Sequence, residues 1–238
     1  MSAKRLSAPS ADRRSGCLLL AGLPVPDPGS GALVLPACLL ADRLSAADPG
    51  RTLRVPLIPP HWVRGRPDPS GPAAETVSSW LLLAEAGALP DAATLAGRCP
   101  RLPDGSASPF PAERGDDLDE ADPRVLTALA RALARMADEP ESPFSLVLLE
   151  CGPLSFFRLA ALARGVPAWC AAHSGEDTPG GRAFLRELSW IRQADPGLPP
   201  PHLFREDRIG EASGRLLALP GHPAHGGEVA PWTGIRNA

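Results

Sequence analysis

The chain has 238 residues, 44% hydrophobic and 21% charged, with a formal net charge of -3. This composition excludes a disordered chain, and the near-neutral balance excludes a global electrostatic draw toward nucleic acid or anionic membrane. No apolar stretch reaches the roughly 20 residues of a membrane span, and five scattered cysteines without a CxxC exclude a cysteine zinc site or a disulfide framework.

Residues 1–15, rich in Ser, Ala and Arg, read as a disordered arm. Arg13-Arg14 ahead of the apolar run Cys17 to Ala21 has the outline of a twin-arginine export signal. The run is short and breaks at Pro24, so the expectation is a cytoplasmic protein, with its apolar cysteines reduced. Residues 16–220 read as a single α/β domain, and 221–238 as an irregular tail. The 30 prolines, 23 glycines and single lysine (Lys4) read as a GC-rich, bacterial-type codon bias.

Residues 17–22 (CLLLAG) predict a buried strand, 23–31 a Pro/Gly loop, and 32–46 a helix with Pro36 tolerated in its first turn. A second strand is predicted over 52–58 and a helix over 73–88. Residues 97–123 are an irregular insertion carrying the acidic run Asp116 to Glu120, read as a solvated face ahead of the next helix. Asp122 and Pro123 start a helix over 124–138, with Val125, Leu129, Leu133 and Met136 on one stripe. Phe144 to Glu150 is continuously apolar until its acid, as in a strand buried on both faces. A helix over 154–164, a strand over 166–171, a helix over 180–193, a short strand over 202–206 and a helix over 207–217 follow. This alternation predicts an open, mostly parallel sheet with helices on both faces.

Chemistry is expected at the carboxyl ends of such strands. The loop Asp27-Pro28-Gly29-Ser30-Gly31 stands where backbone N–H groups at a helix start can face an anion. A working P-loop also needs a lysine for the phosphates and a hydroxyl for magnesium. Neither follows here, since no Lys or Arg lies between Cys17 and Asp42. The simpler reading is a plain strand-to-helix turn. Glu150, ahead of Cys151-Gly152-Pro153, is placed to hold magnesium or orient water; the simpler reading is an acid facing solvent. His173, followed by Ser174, Glu176 and Asp177, is a candidate base, and Cys151 a candidate nucleophile. His222 and His225, with Glu228 alone nearby, do not complete a metal site, so none is expected. Arg205, Arg208 and Arg215 interleave with Glu206, Asp207 and Glu211, which favours ion pairs along a helix over phosphate contacts.

The order strand, Gly-rich loop, helix, strand, then LVLLECGP (Leu146 to Pro153), helix and strand, resembles the ParA/MinD (deviant-Walker) P-loop ATPases. The late segment His202 to Ala212 is similar to the family's Arg-containing stretch near the nucleotide base. The resemblance spans about residues 16–60 and 124–220 and implies a P-loop NTPase-like fold. It implies nucleotide contacts from Gly29, Ser30, Gly31, Glu150, Arg205 and Arg208, with ATP or ADP as ligand and nucleotide-dependent dimerisation. The departure is the missing P-loop lysine. The expected function is that of a non-hydrolysing regulatory or scaffolding relative, a pseudo-ATPase acting on a protein partner or as a homodimer, with or without a nucleotide.

Rival readings are a small α/β enzyme using Glu150, Cys151 and His173, a RecA-like DNA-repair accessory protein, and an interaction module presenting exposed Trp62, Trp80 or Trp232. Adjacency of the strands ending at Gly22 and Glu150, or one strand between them, separates the two P-loop branches.

Overall fold

The computed structural model describes residues 16–26, 33–58, 75–114, 116–152, 154–174, 178–205, 208, 209 and 211. The elements are β1 (Gly16–Gly22), β2 (Val25–Pro26), β3 (Leu33–Val34), α1 (Pro36–Ser45), β4 (Thr52–Leu57), α2 (Val77–Glu85) and α3 (Ala92–Arg98). They continue with α4 (Asp117–Glu120), α5 (Pro123–Asp138), β5 (Leu146–Cys151), α6 (Phe156–Ala163), β6 (Ala168–His173), α7 (Pro179–Ala194) and β7 (His202–Arg205).

Five strands form one parallel sheet in the order β4-β5-β1-β6-β7. Strands buried on both faces need apolar residues at every position, and β1, β5 and β6 supply them almost throughout. On one face Leu19, Ala21, Val147, Leu149, Trp169 and Ala171 join the core under α2, α5, α6 and α7. On the other, Leu20, Leu148 and Cys170 pack against Ala37, Leu40, Ala41 and Leu44 of α1. The open parallel sheet covered on both faces is the predicted fold class. Across the larger helical layer α2 lies beside α5, α5 beside α6, and α6 beside α7.

The first helix starts at Pro36, not at Ala32. Proline disfavours the α region in the residue before it, and Leu35 is extended at φ -97, ψ 119. Leu33 and Val34 instead pair antiparallel with Pro26 and Val25. The short helix α3 escaped the sequence pattern; its signal is Asp91, whose carboxylate accepts from the Thr94 N–H at 2.7 Å.

Within 97–123, Ala107 lies along β4. Its N–H donates to the Thr52 carbonyl at 2.9 Å and its carbonyl accepts from the Arg54 N–H at 2.8 Å. That pairing covers part of the outer edge of β4, an edge that otherwise presents unpaired backbone groups. The acidic run enters α4, from which Asp117 reaches Ser78 at the start of α2 at 2.5 Å. Of the helix expected over 207–217, only 208, 209 and 211 are among the described residues.

Candidate functional site at the carboxyl end of the sheet

β1 ends at Gly22, where a Cβ would stand 3.1 Å from the Ala172 Cβ and 3.5 Å from the Pro36 Cβ. At Gly152, just past β5, a Cβ would stand 2.7 Å from Ile58 Cγ2. Glycine at these two positions therefore lets β1 close on β6 and the start of α1, and the end of β5 close on the end of β4.

The Gly-rich loop does not run straight into the helix. Gly29, Ser30 and Gly31 fall among residues 27–32, outside the described residues. They are bracketed by the Pro26↔Leu33 pair, and Leu33, Val34 and Leu35 intervene before α1. The first turn of α1 is Pro36, Ala37, Cys38, Leu39 and carries no hydroxyl or cation. The chain's one lysine, Lys4, precedes β1 and lies outside the described residues.

Glu150 is fully buried, not turned to solvent. It pairs in register with Leu20, so it stands inside the sheet. An ionised carboxylate there needs a partner, and β4 supplies one. The Arg54 guanidinium meets it as a fork, Nε to Oε1 at 2.7 Å and Nη2 to Oε2 at 3.1 Å. Arg54 Nη1 also reaches Asp42 Oδ1 on α1 at 2.6 Å and Asp104 Oδ2 at 3.3 Å. Asp104 in turn accepts from Ser45 Oγ at 2.9 Å, Ser106 N at 2.9 Å and Ser106 Oγ at 2.6 Å. Burial works against the charge on Arg54, but Glu150 and then Asp42 outweigh it and hold the guanidinium's pKa well above its ordinary value. Burial likewise pushes the Asp104 carboxyl up, and the Ser106 and Ser45 hydrogen bonds with Arg54 bring it net below its ordinary value. Sequence reading passed over Arg54. Its signal was a cation inside the apolar run TLRVPLI, which a buried strand tolerates only with an acid to pair.

Glu150 does not fit a magnesium ion, because both its oxygens are held by Arg54. Among the described residues no group of three His, Cys, Asp or Glu side chains is arranged to hold a metal.

The other expected contacts lie apart. Arg205 ends the edge strand β7, opposite His173 in register. β1 and β6 stand between β5 and β7, and Arg205 lies three residues past the level of Glu150, so the two are about 17 Å apart at Cα. Arg208 is exposed and 4.0 Å from Glu211, the ion pair expected along that segment. Arg215, His222, His225, Trp62 and Trp232 lie outside the described residues. Trp80 is not exposed: it is fully buried on the inner face of α2, and its indole N–H donates to Glu75 at 2.8 Å.

Nor does the structure join Cys151 to His173. Cys151 is level with Ala21, which is level with Ala171, two residues before His173. Two strand spacings and two residues of rise put the pair about 12 Å apart at Cα, too far for the roughly 3 Å nucleophile–base contact. Glu150 and Cys151, as neighbours in one strand, face opposite sides of the sheet. Burial pushes the Cys151 thiol up to about 12. In the folded protein at pH 8, iodoacetamide is expected to leave Cys151 unmodified and to reach the half-buried Cys38 first. Peptide mass spectrometry checks this, and early labelling of Cys151 would contradict it.

No protein-family model and no curated protein matches the sequence. Solved structures do match in fold. A ParA family ATPase from Chlorobium tepidum TLS superposes with a TM-score of 0.50 at 11% identity, over 84% of this chain and 81% of that chain. Cobyrinic acid a,c-diamide synthase from Mycobacterium smegmatis gives a TM-score of 0.49 at 17% identity, over 83% and 82% of the two chains. The protein thus has an open parallel α/β fold of the kind seen in that ParA family ATPase.

Among the described residues no helix is long and apolar enough to cross a membrane.

Proposed function

We propose that this protein is a non-hydrolysing ParA/MinD-like protein that regulates or scaffolds by binding a protein partner. The observation that carries the reading is the sequestered acid. Glu150 stands at the position that the resemblance assigns to the phosphates, yet it is buried and held through both oxygens by Arg54. A carboxylate so engaged neither coordinates magnesium nor orients water. The absence of any lysine after β1 removes the phosphate-binding cation as well.

β1 and β5 pair directly, with no strand between them. Together with the likeness in fold to a ParA family ATPase, this favours the ParA/MinD-like reading over the RecA-like one. Partner binding draws support from Phe157. It stands in the first turn of α6, just past the carboxyl end of β5, and is 83% exposed. Aromatic residues are enriched in the cores of interfaces, and this ring is open to a partner.

The test combines turnover with ligand-induced stabilisation, using ATP and ADP each with and without magnesium. No ATP turnover above background is expected from the wild type. A nucleotide cradled by the backbone of Gly29 to Gly31 would raise the thermal midpoint equally in both conditions. Native-only binding stabilises by about 2.7 kcal/mol at a hundredfold excess over Kd. Magnesium-dependent turnover abolished by Glu150→Ala would overturn the proposal.

A further inference from the structure

The helical layer carries its exposed charge unevenly. The outward face of α7 presents Arg186, Ser189, Trp190 and Gln193, with Arg192 on its flank. Trp190 is 59% exposed, and the Arg186 guanidinium stacks over its ring at 5.6 Å from the centroid. Neither Arg186 nor Arg192 forms an ion pair among the described residues. The stacking fixes Arg186 over an aromatic anchor, the pairing of residue types that dominates interface energetics.

At the opposite end of the layer the sign reverses. Asp116, Asp119 and Glu120, on and beside α4, are exposed, and none forms an ion pair among the described residues. This run is anchored beside α2 by the Asp117–Ser78 contact and leads directly into α5. α5 and α6 lie between it and α7. With helices packed 8–10 Å apart, three spacings of about 24–30 Å separate these anions from the α7 cations, while the exposed Arg114 and Arg124 flank the run itself and leave it net acidic.

Unpaired anions on one surface and unpaired cations around an exposed tryptophan on another are complementary between molecules. We propose that the α7 face of one molecule docks on the acidic α4 run of a second copy of this chain. The two surfaces differ, so the contact is head-to-tail and extends into short chains, in contrast to a closed symmetric dimer. With few charged pairs, the association is weak and salt-dependent. Its face is separate from the carboxyl end of the sheet, so it stands whether or not a nucleotide binds there.

The test is sedimentation velocity of the full chain over a wide concentration range at low salt and at 0.5 M salt. The wild type is expected to grow in average mass with concentration at low salt, without a plateau at the dimer, and to be monomeric at high salt. Two charge-reversed proteins follow, Arg186→Glu/Arg192→Glu and Asp119→Arg/Glu120→Arg. Each alone is expected to be monomeric at low salt with an unchanged circular dichroism spectrum. Mixed in equal amounts they are expected to associate again, because each then offers the other a complementary face. Trp190→Ala is expected to weaken wild-type association about tenfold. A wild type monomeric throughout, a mixture that stays monomeric, or an α7 face that binds only an added acidic peptide and never the chain itself would overturn the proposal.

Discussion

Arg54→Ala is expected to lower the unfolding free energy by about 3–5 kcal/mol, the usual cost of removing one member of a buried pair. The loss of attraction is the smaller part of that cost. Glu150 remains fully buried, with the guanidinium that satisfied both its oxygens gone. It must then take up a proton or admit water, and either consumes stability. Glu150→Ala should cost a similar amount, because Arg54 is then left buried with only Asp42 and Asp104. Arg54→Met combined with Glu150→Leu should recover most of the loss, since packed apolar residues replace such a pair at little or no penalty. Denaturant titrations of the four proteins check this, read as midpoints at constant slope. If the double variant is as unstable as either single one, the cost came from packing and not from an orphaned charge.

The same cluster has a pH signature. The folded-state pKa of Asp104 is net lowered, so the stability it lends is present above its unfolded value near 3.9. It disappears as pH falls through the lower folded value. Asp104→Asn should therefore flatten the acid limb of the stability curve and leave its shape at neutral pH unchanged.

Gly165→Ala is expected to destabilise by about 2–3 kcal/mol, toward the upper end of overpacking effects. Gly165 follows α6 and lies against α5. A Cβ there would stand 2.5 Å from the Ala130 Cβ, 2.8 Å from the Thr127 carbonyl oxygen and 3.0 Å from the Arg131 nitrogen. Two of these three atoms are helix backbone, so no rotamer change relieves the clash and the helices must separate. Separation also strains the Thr127 hydroxyl bond to the Ala161 carbonyl, 2.8 Å across the same contact. Adding Ala130→Gly should restore only part of the loss, because the Thr127 carbonyl remains. Gly50→Ala, with nothing within 4 Å of the new methyl, serves as the control and should stay within about 0.5 kcal/mol of wild type.

Element type was legible in the residues wherever a local period carried it. The apolar runs CLLLAG, FSLVLLE and VPAWCA became β1, β5 and β6 within two residues, and the Asp122-Pro123 start of α5 held. Periodicity and capping act over a turn or two of chain, so they are written locally. Prolines moved boundaries where their effect on the preceding residue was passed over, as at Leu35-Pro36.

The candidate site was legible only as a list of residue types at strand ends. Its arrangement rests on pairings that no local pattern contains. Arg54 and Glu150 are 96 positions apart, and only the β4-β5 register sets them diagonally on one face. The same register placed Glu150 inside the sheet, turned Cys151 to the other face, and left His173 beyond the reach of either. Trp80, polar enough at one edge to pass for a surface anchor, went inside because Glu75 meets its indole N–H there. The strand and helix sequence thus follows from short-range sterics and hydrophobic spacing. The choice between a reactive acid and a neutralised one was made by the lateral order of the strands, because burial demands a counter-charge and only the folded sheet supplies it.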